Sequence, residues 1–150
     1  NLLNEHHVDP KRLIIELTET AAVSDVQDAQ RFIEAVHQTG CRVCLDDFGS
    51  GFSTFGYLKY LGVEVLKIDG LFIRDLPNNR DNQIFVKAMV EVARGLGKIT
   101  VAEFVEDAAT LSMVKNLGVD LAQGYYLGRP GASFPKDYRK TAVNYIETVY

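Results

Sequence analysis

Four times along the chain an amphipathic segment runs up to a glycine and gives way to a short apolar run: "HQTGCRVCLDD", "KYLGVEVLKID", "RGLGKITVAEF" and "KNLGVDLAQGY". Gly40, Gly62, Gly97 and Gly118 stand where the end of a helix favours a left-handed residue. Each apolar run that follows reads as a strand buried on both faces. "RLIIELTE" supplies a fifth strand ahead of the first repeat. Between it and Gly40, the spacing of Val26, Ala29, Ile33 and Val36 predicts a helix, opened by Ser24 and Gln27 as a capping box. The tail "KDYRKTAVNYIETVY" predicts a closing amphipathic helix with Tyr138, Ala142, Tyr145 and Ile146 on or near one side.

Strand and helix in alternation give an α/β fold, because parallel pairing needs a long crossover between neighbouring strands. Polar or acidic residues close every strand: Glu16 with Glu19, Asp46 with Asp47, Lys67 with Asp69, Glu103 with Glu106, and Gln123. An open doubly wound sheet gathers only the groups beside its switch point, whereas a closed barrel brings every strand end to one rim. The pattern therefore favours a TIM-like (β/α)8 barrel. Such a barrel takes roughly 250 residues, against 150 here. Five strands and an opening "NLLNEHHVDP" that reads as a helix end and turn predict about five C-terminal βα units, with the early strands missing. Residues 1–150 are expected to form part of a single domain, with no linker or low-complexity tract.

Composition adds limits. At 47% hydrophobic and a net charge of -4, the chain can bury a core and lacks the basic surface that a nucleic-acid polymer requires. Its apolar runs are shorter than a bilayer span and no leader opens it, so no membrane contact is expected of this segment and a cytoplasmic location is. Cys41 and Cys44 have redox or zinc spacing, but two such residues on one strand point to opposite faces and no second Cys/His pair joins them. Buried reduced thiols are the expectation. An anionic ligand would have to be held locally.

Alternation shows which side chains meet at the rim. Val65, Lys67 and Asp69 share the inward face of their strand, as do Ile99, Val101 and Glu103 on theirs, and Ile14, Glu16 and Thr18 on the first. A lysine inside a barrel needs anions, or an ion-bound water, beside it; a lysine snorkelling to the rim to pair with one carboxylate is the structural alternative. Taken singly, Glu16, Asp46, Asp47 and Glu103 are ordinary caps or solvated loop ends. Converging on successive strand ends, they suit a hard divalent cation.

Adjacent aspartates make sense if one bridges two ions and the other completes one ion's shell. Paired Mg²⁺ or Mn²⁺ about 3.5 to 4 Å apart is the usual device for in-line attack on a phosphodiester. Lys67 would orient or deprotonate the attacking water, or neutralise charge building on the phosphoryl oxygens. The glycines after Asp47 give a loop able to close on the site. Glu19 and Glu106 either anchor that loop by accepting from its amides or hydroxyls, or are solvated loop charges. Gln123 suits a nucleobase edge, with Tyr125 or Tyr126 close by, or else is a loop hydrogen-bonder.

The blocks "ELTET", "DDFGSGFSTFGYL", "VLKIDGLFI", "VAEFVE" and "QGYYLGRP" resemble, in order and spacing, those of EAL domains, the cyclic di-GMP phosphodiesterases of bacterial signalling. The resemblance covers essentially the whole chain. It implies a TIM-like barrel that binds two Mg²⁺ or Mn²⁺ and hydrolyses cyclic di-GMP to linear pGpG. It further implies that Glu16, Asp46, Asp47 and Glu103 are metal ligands, with Asp46 the bridge. Lys67 is similar to the lysine that holds the nucleophilic water, Glu19 to the glutamate that steadies the loop, and Gln123 to a substrate contact. Asp69, on the substrate side, and Glu106, on the loop side, also match motif positions. Dimerisation near "FSTFGYLKYL" is a family habit, and so is an upstream diguanylate cyclase (GGDEF) or sensory domain, which can carry a membrane anchor.

The Glu-Ala-Leu strand that names the family, and the asparagine on the strand after it, fall upstream of these residues. Two metal ligands are thus outside the chain, and the segment alone is expected to turn over little or nothing. Two other readings stand beside the enzyme: an inactive EAL-type receptor for cyclic di-GMP, and a barrel of another class, such as an enolase-like enzyme with acidic ligands and a lysine base.

Overall fold

A computed structural model describes residues 2–51 and 55–131. A short helix α1 (Leu2–Glu5) and a 3-10 turn (Pro10–Arg12) lead into β1 (Ile14–Thr18), followed by α2 (Glu19–Ser24) and α3 (Val26–Gln38). Then come β2 (Arg42–Phe48), a 3-10 turn (Phe55–Lys59), β3 (Val65–Ile68), α4 (Gly70–Ile73) and α5 (Arg80–Gly95). The described part closes with β4 (Ile99–Ala102), α6 (Ala108–Asn116) and β5 (Leu121–Ala122). The closing helix expected over 136–150 lies outside the described residues.

All five strands are parallel and stand in the order β1-β2-β3-β4-β5. A doubly wound sheet would reverse its order at a switch point; this one never does, as expected of an arc of barrel wall. The face carrying Val43, Leu45, Leu66, Ile68 and Ala102 is sealed against Ile33 of α3 and Val86, Val90 and Ala93 of α5. The opposite face, which would line a barrel, is more open towards β1, where Ile14 is 37% exposed.

Two details of the helix pattern differ from expectation. Gly40, Gly97 and Gly118 have φ of +87°, +67° and +82°, but Gly62 is not left-handed. The reason is that among the described residues no α-helix lies between β2 and Gly62: "FGYLK" winds as a 3-10 turn that ends at Lys59. The cap of α3 is Asp25, whose carboxylate accepts from the Asp28 amide at 2.9 Å, because Ser24 instead ends α2 and donates to the Ala21 carbonyl. A carboxylate at that position also meets the positive end of the helix dipole.

Candidate metal centre at the strand ends

Lys67 projects from β3 between its neighbours and is 7% exposed. Its Nζ lies 3.0 Å from Asp46 Oδ1 on β2, 3.0 Å from Glu103 Oε1 beyond β4, and 3.1 Å from Glu16 Oε1 on β1. Burial alone would lower its pKa, but the contacts with Asp46, Glu103 and Glu16 outweigh it and hold the ammonium above its ordinary value.

The paired aspartates reach the same place through a bulge. Leu45 pairs with Leu66 and Phe48 with Ile68, so β2 spends three steps where β3 spends two. The extra residue falls at Asp46–Asp47, and Asp47 takes φ +56°, a left-handed value costly for a side chain other than glycine. Without the bulge, alternation would send Asp47 to the opposite face and Phe48 inward. With it, Phe48 is fully buried on the helix side, and carboxylate oxygens of Asp46, Asp47 and Glu103 lie within 4.8 Å of one another.

The crowding leaves its mark on the charges. Burial, together with the neighbouring Asp46 and Asp69, pushes the Asp47 carboxyl above its usual range despite Lys67. Burial likewise raises Glu103, against the pull of Lys67. Asp46 Oδ1 is closed off from solvent with no donor aligned for a hydrogen bond, having only the Lys67 charge beside it. An oxygen-only set of crowded carboxylates sharing a single ammonium fits a hard divalent cation.

Glu19, the first residue of α2, is 1% exposed. Its Oε2 accepts from the amides of Gly49 at 2.9 Å and Gly51 at 3.2 Å, and its Oε1 accepts from the Tyr57 hydroxyl. The carboxylate thus holds the segment just after the paired aspartates.

Residues 1–130 match the EAL domain family. The chain belongs to that family. It is 36% identical over 129 residues to the probable cyclic di-GMP phosphodiesterase PdeA of Escherichia coli, covering 86% of this chain and 18% of that protein. The PaMucR phosphodiesterase, solved as a c-di-GMP complex, superposes with a TM-score of 0.80 at 38% identity, covering 85% of this chain and 52% of that one. BlrP1 of Klebsiella pneumoniae, solved with manganese and cyclic di-GMP, gives a TM-score of 0.80 at 28% identity over 85% of this chain and 33% of the other. The chain therefore spans about half of the solved PaMucR chain and under a fifth of PdeA, and its five strands are an arc of a TIM-like barrel.

Within this EAL chain, Glu16, Asp46, Asp47, Lys67 and Glu103 come together, and Glu19, at the start of α2, holds the loop beside them. Asp69 accepts from the Leu71 amide at 2.7 Å as the cap of α4, close enough to act on Asp47. The Gln123 side chain is exposed, while its backbone bonds Ala102 and Val105 across the end of β4. Glu106 is exposed, and among the described residues it makes no hydrogen bond to the loop after Asp47. Sequence reasoning missed Tyr57 and the bulge. It also missed Phe104, which follows Glu103 at φ +51° with the Arg74 guanidinium 3.9 Å from its ring centroid. Two adjacent aspartates at a strand end were the only signal of the bulge, and nothing marked Tyr57.

Proposed function

We propose that this EAL chain is the C-terminal part of a metal-dependent phosphodiesterase domain that hydrolyses cyclic di-GMP to linear pGpG. The observation that carries the proposal is the bulge that turns Asp47 into the cluster of Asp46, Glu103 and Lys67. A binding module would gain little from a strained backbone that concentrates carboxylates. The complexes of PaMucR and BlrP1 with cyclic di-GMP support the same ligand.

Glu16, Asp46, Asp47 and Glu103 would hold two Mg²⁺ or Mn²⁺, with Asp46 between them. When bound, such a pair lowers the pKa of water and stabilises both the attacking and the leaving oxygen of an in-line displacement. Lys67 orients the attacking water and offsets charge on the phosphoryl oxygens. Gln123 and Asp69 lie on the substrate side of the rim, and Glu19 keeps the loop beside the paired aspartates in place. The domain works in the cytoplasm, an arrangement compatible with a GGDEF or sensory domain, or a membrane anchor, elsewhere in the parent protein. It dimerises near the 3-10 turn at Phe55–Lys59, beside which Tyr60 is 65% exposed. No helix among the described residues is long and apolar enough to cross a membrane.

The test is release of pGpG from cyclic di-GMP by the full-length protein with Mn²⁺ or Mg²⁺. Binding of cyclic di-GMP without release would replace the enzyme with a receptor.

A further inference from the structure

We propose that Tyr57 is a positioning residue for the metal centre: its hydroxyl, acting through Glu19, fixes the backbone after the paired aspartates in the shape that turns Asp47 toward Asp46 and Glu103. The inference rests on the reading of those carboxylates as ligands.

A buried carboxylate is costly unless donors satisfy it. Among the described residues Glu19 has no lysine, arginine or histidine within ion-pair reach, and three donors surround it: the amides of Gly49 and Gly51 on Oε2 and the Tyr57 hydroxyl on Oε1. Among the described residues Tyr57 is thus the sole partner of Oε1. Remove it, and that oxygen either draws in water or rotates outward, taking the other oxygen from the two amides.

Those amides belong to the backbone that makes the left-handed turn. Gly49 is two residues past Asp47, and the Ser50 amide closes on the Asp47 carbonyl at 3.2 Å. A left-handed aspartate persists only where its surroundings over-determine it. Glu19 supplies that constraint from α2, and Tyr57 holds Glu19 from the 3-10 turn. Phe55 of the same turn packs on Phe48, with ring centroids 5.3 Å apart, so the turn is seated on the strand that carries the aspartates. The Tyr57 ring packs against the core independently of its hydroxyl.

The decisive variant is Tyr57→Phe in the full-length protein, which keeps the ring and deletes the donor. Mn²⁺ binding followed by electron paramagnetic resonance should weaken by about 10- to 100-fold, the range seen when groups that orient ligands are removed. Turnover at saturating Mn²⁺ should fall less than Mn²⁺ affinity does. Tyr57→Phe combined with Glu19→Gln should bind Mn²⁺ no worse than Glu19→Gln alone, since both break one latch. Parent affinity in Tyr57→Phe, or additive losses in the double variant, overturns the proposal. Amide exchange needs no variant: fast exchange at Gly49 and Gly51 in the parent also overturns it. A parent that binds Mn²⁺ but releases no pGpG sinks the functional reading and leaves the Mn²⁺ comparison to judge Tyr57; a parent that binds none sinks both.

Discussion

Lys67 Nζ and Asp46 Oδ1 face each other at 3.0 Å across neighbouring parallel strands, one a buried cation and the other a carboxylate oxygen with no aligned donor. That pairing follows from register. Cys44 pairs with Val65 and Leu45 with Leu66, so Asp46 and Lys67 extend the two inward rows at the same height, where the bulge begins. Glu16 and Glu103 reach the same ammonium from the strands on either side. One lysine cannot balance Glu16, Asp46, Asp47 and Glu103, and the surplus negative charge is what divalent cations would neutralise.

Replacing Lys67 removes the positive group shared by three carboxylates. Lys67→Ala in the full-length protein should lower pGpG release at saturating Mn²⁺ by about 10² to 10⁴, the usual weight of a group that positions or moves a proton in the reaction. Affinity for Mn²⁺ should hold or rise, because a competing cation is gone. Steady-state rates across a Mn²⁺ titration decide the matter, and parent-like turnover would contradict the role given to Lys67.

Asp46→Asn keeps the shape of the side chain and withdraws its charge. Asparagine offers one neutral acceptor oxygen where bridging two cations needs a carboxylate. Release of pGpG should drop by about 10² to 10³, the order of removing one strong electrostatic contact in a reacting site. The melting temperature should change little or rise, since Asp46 crowds Asp47 and Glu103. Retained turnover would remove the bridge.

The alternation of "VLKID" and "KITVAEFVE" placed Lys67 and Glu103 on the inward side correctly, because β3 and β4 pair without a register shift up to Ala102, the residue before Glu103. The same rule fails at Asp47. Period-two reasoning assumes equal steps on paired strands, and a bulge cancels that assumption without leaving a compositional trace. Tyr57 was invisible for another reason: it lies 38 positions from Glu19, and no local pattern encodes a contact of that separation. At Gly62 the sequence showed a glycine after an amphipathic stretch, but among the described residues that stretch winds as a 3-10 turn and not an α-helix.

Acidity should stabilise the metal-free protein at this site. Asp47 and Glu103 have folded-state pKa values raised above the ordinary 3.8 and 4.5, so the native state binds more protons than the unfolded one in that window. Stability from these two groups therefore falls as pH rises from about 4 through their raised values, and stays low at neutral pH. Lys67 is raised from 10.5, so its contribution is complete throughout that range and is lost only at strongly alkaline pH. Melting temperatures in EDTA should drop between mildly acidic and neutral pH less steeply in Asp47→Asn, and added Mn²⁺ should help more at neutral than at acidic pH. A Mn²⁺ effect independent of pH would count against the cluster.

Cys44 lies on the inward side of β2, one position below Asp46 in the row, and is 2% exposed. Burial, only partly offset by Lys67 and reinforced by Glu16 and Asp46, pushes its thiol up to about 12. Because the thiolate is the reactive form, native protein at pH 8 should resist iodoacetamide at Cys44. Cys41 is buried as well, and both thiols are free. Mass spectrometry should find modification at both only after unfolding; rapid native labelling at Cys44 would show that the strand ends open far more than this packing allows.

Gly70 opens α4 immediately after the Asp69 cap, and a Cβ there would overlap three carbons of the Phe104 ring. That ring is 40% exposed, its backbone has φ +51°, and the Arg74 guanidinium lies 3.9 Å from its centroid. The clashing carbons include Cγ, at the root of the side chain, so relief in Gly70→Ala means turning the ring off Arg74 towards solvent, with a shift of the backbone next to Glu103. We expect a loss of about 1–3 kcal/mol, the order of a forced rotamer change with a backbone shift, together with weaker Mn²⁺ binding because Glu103 moves with its neighbour. Phe104→Gly in the same protein removes the obstructing ring and the left-handed strain together, so the double variant should recover most of the Mn²⁺ affinity. If Gly70→Ala melts and binds Mn²⁺ like the parent, the ring does not constrain the carboxylate beside it; if the double variant stays impaired, the damage comes from α4 rather than from Phe104.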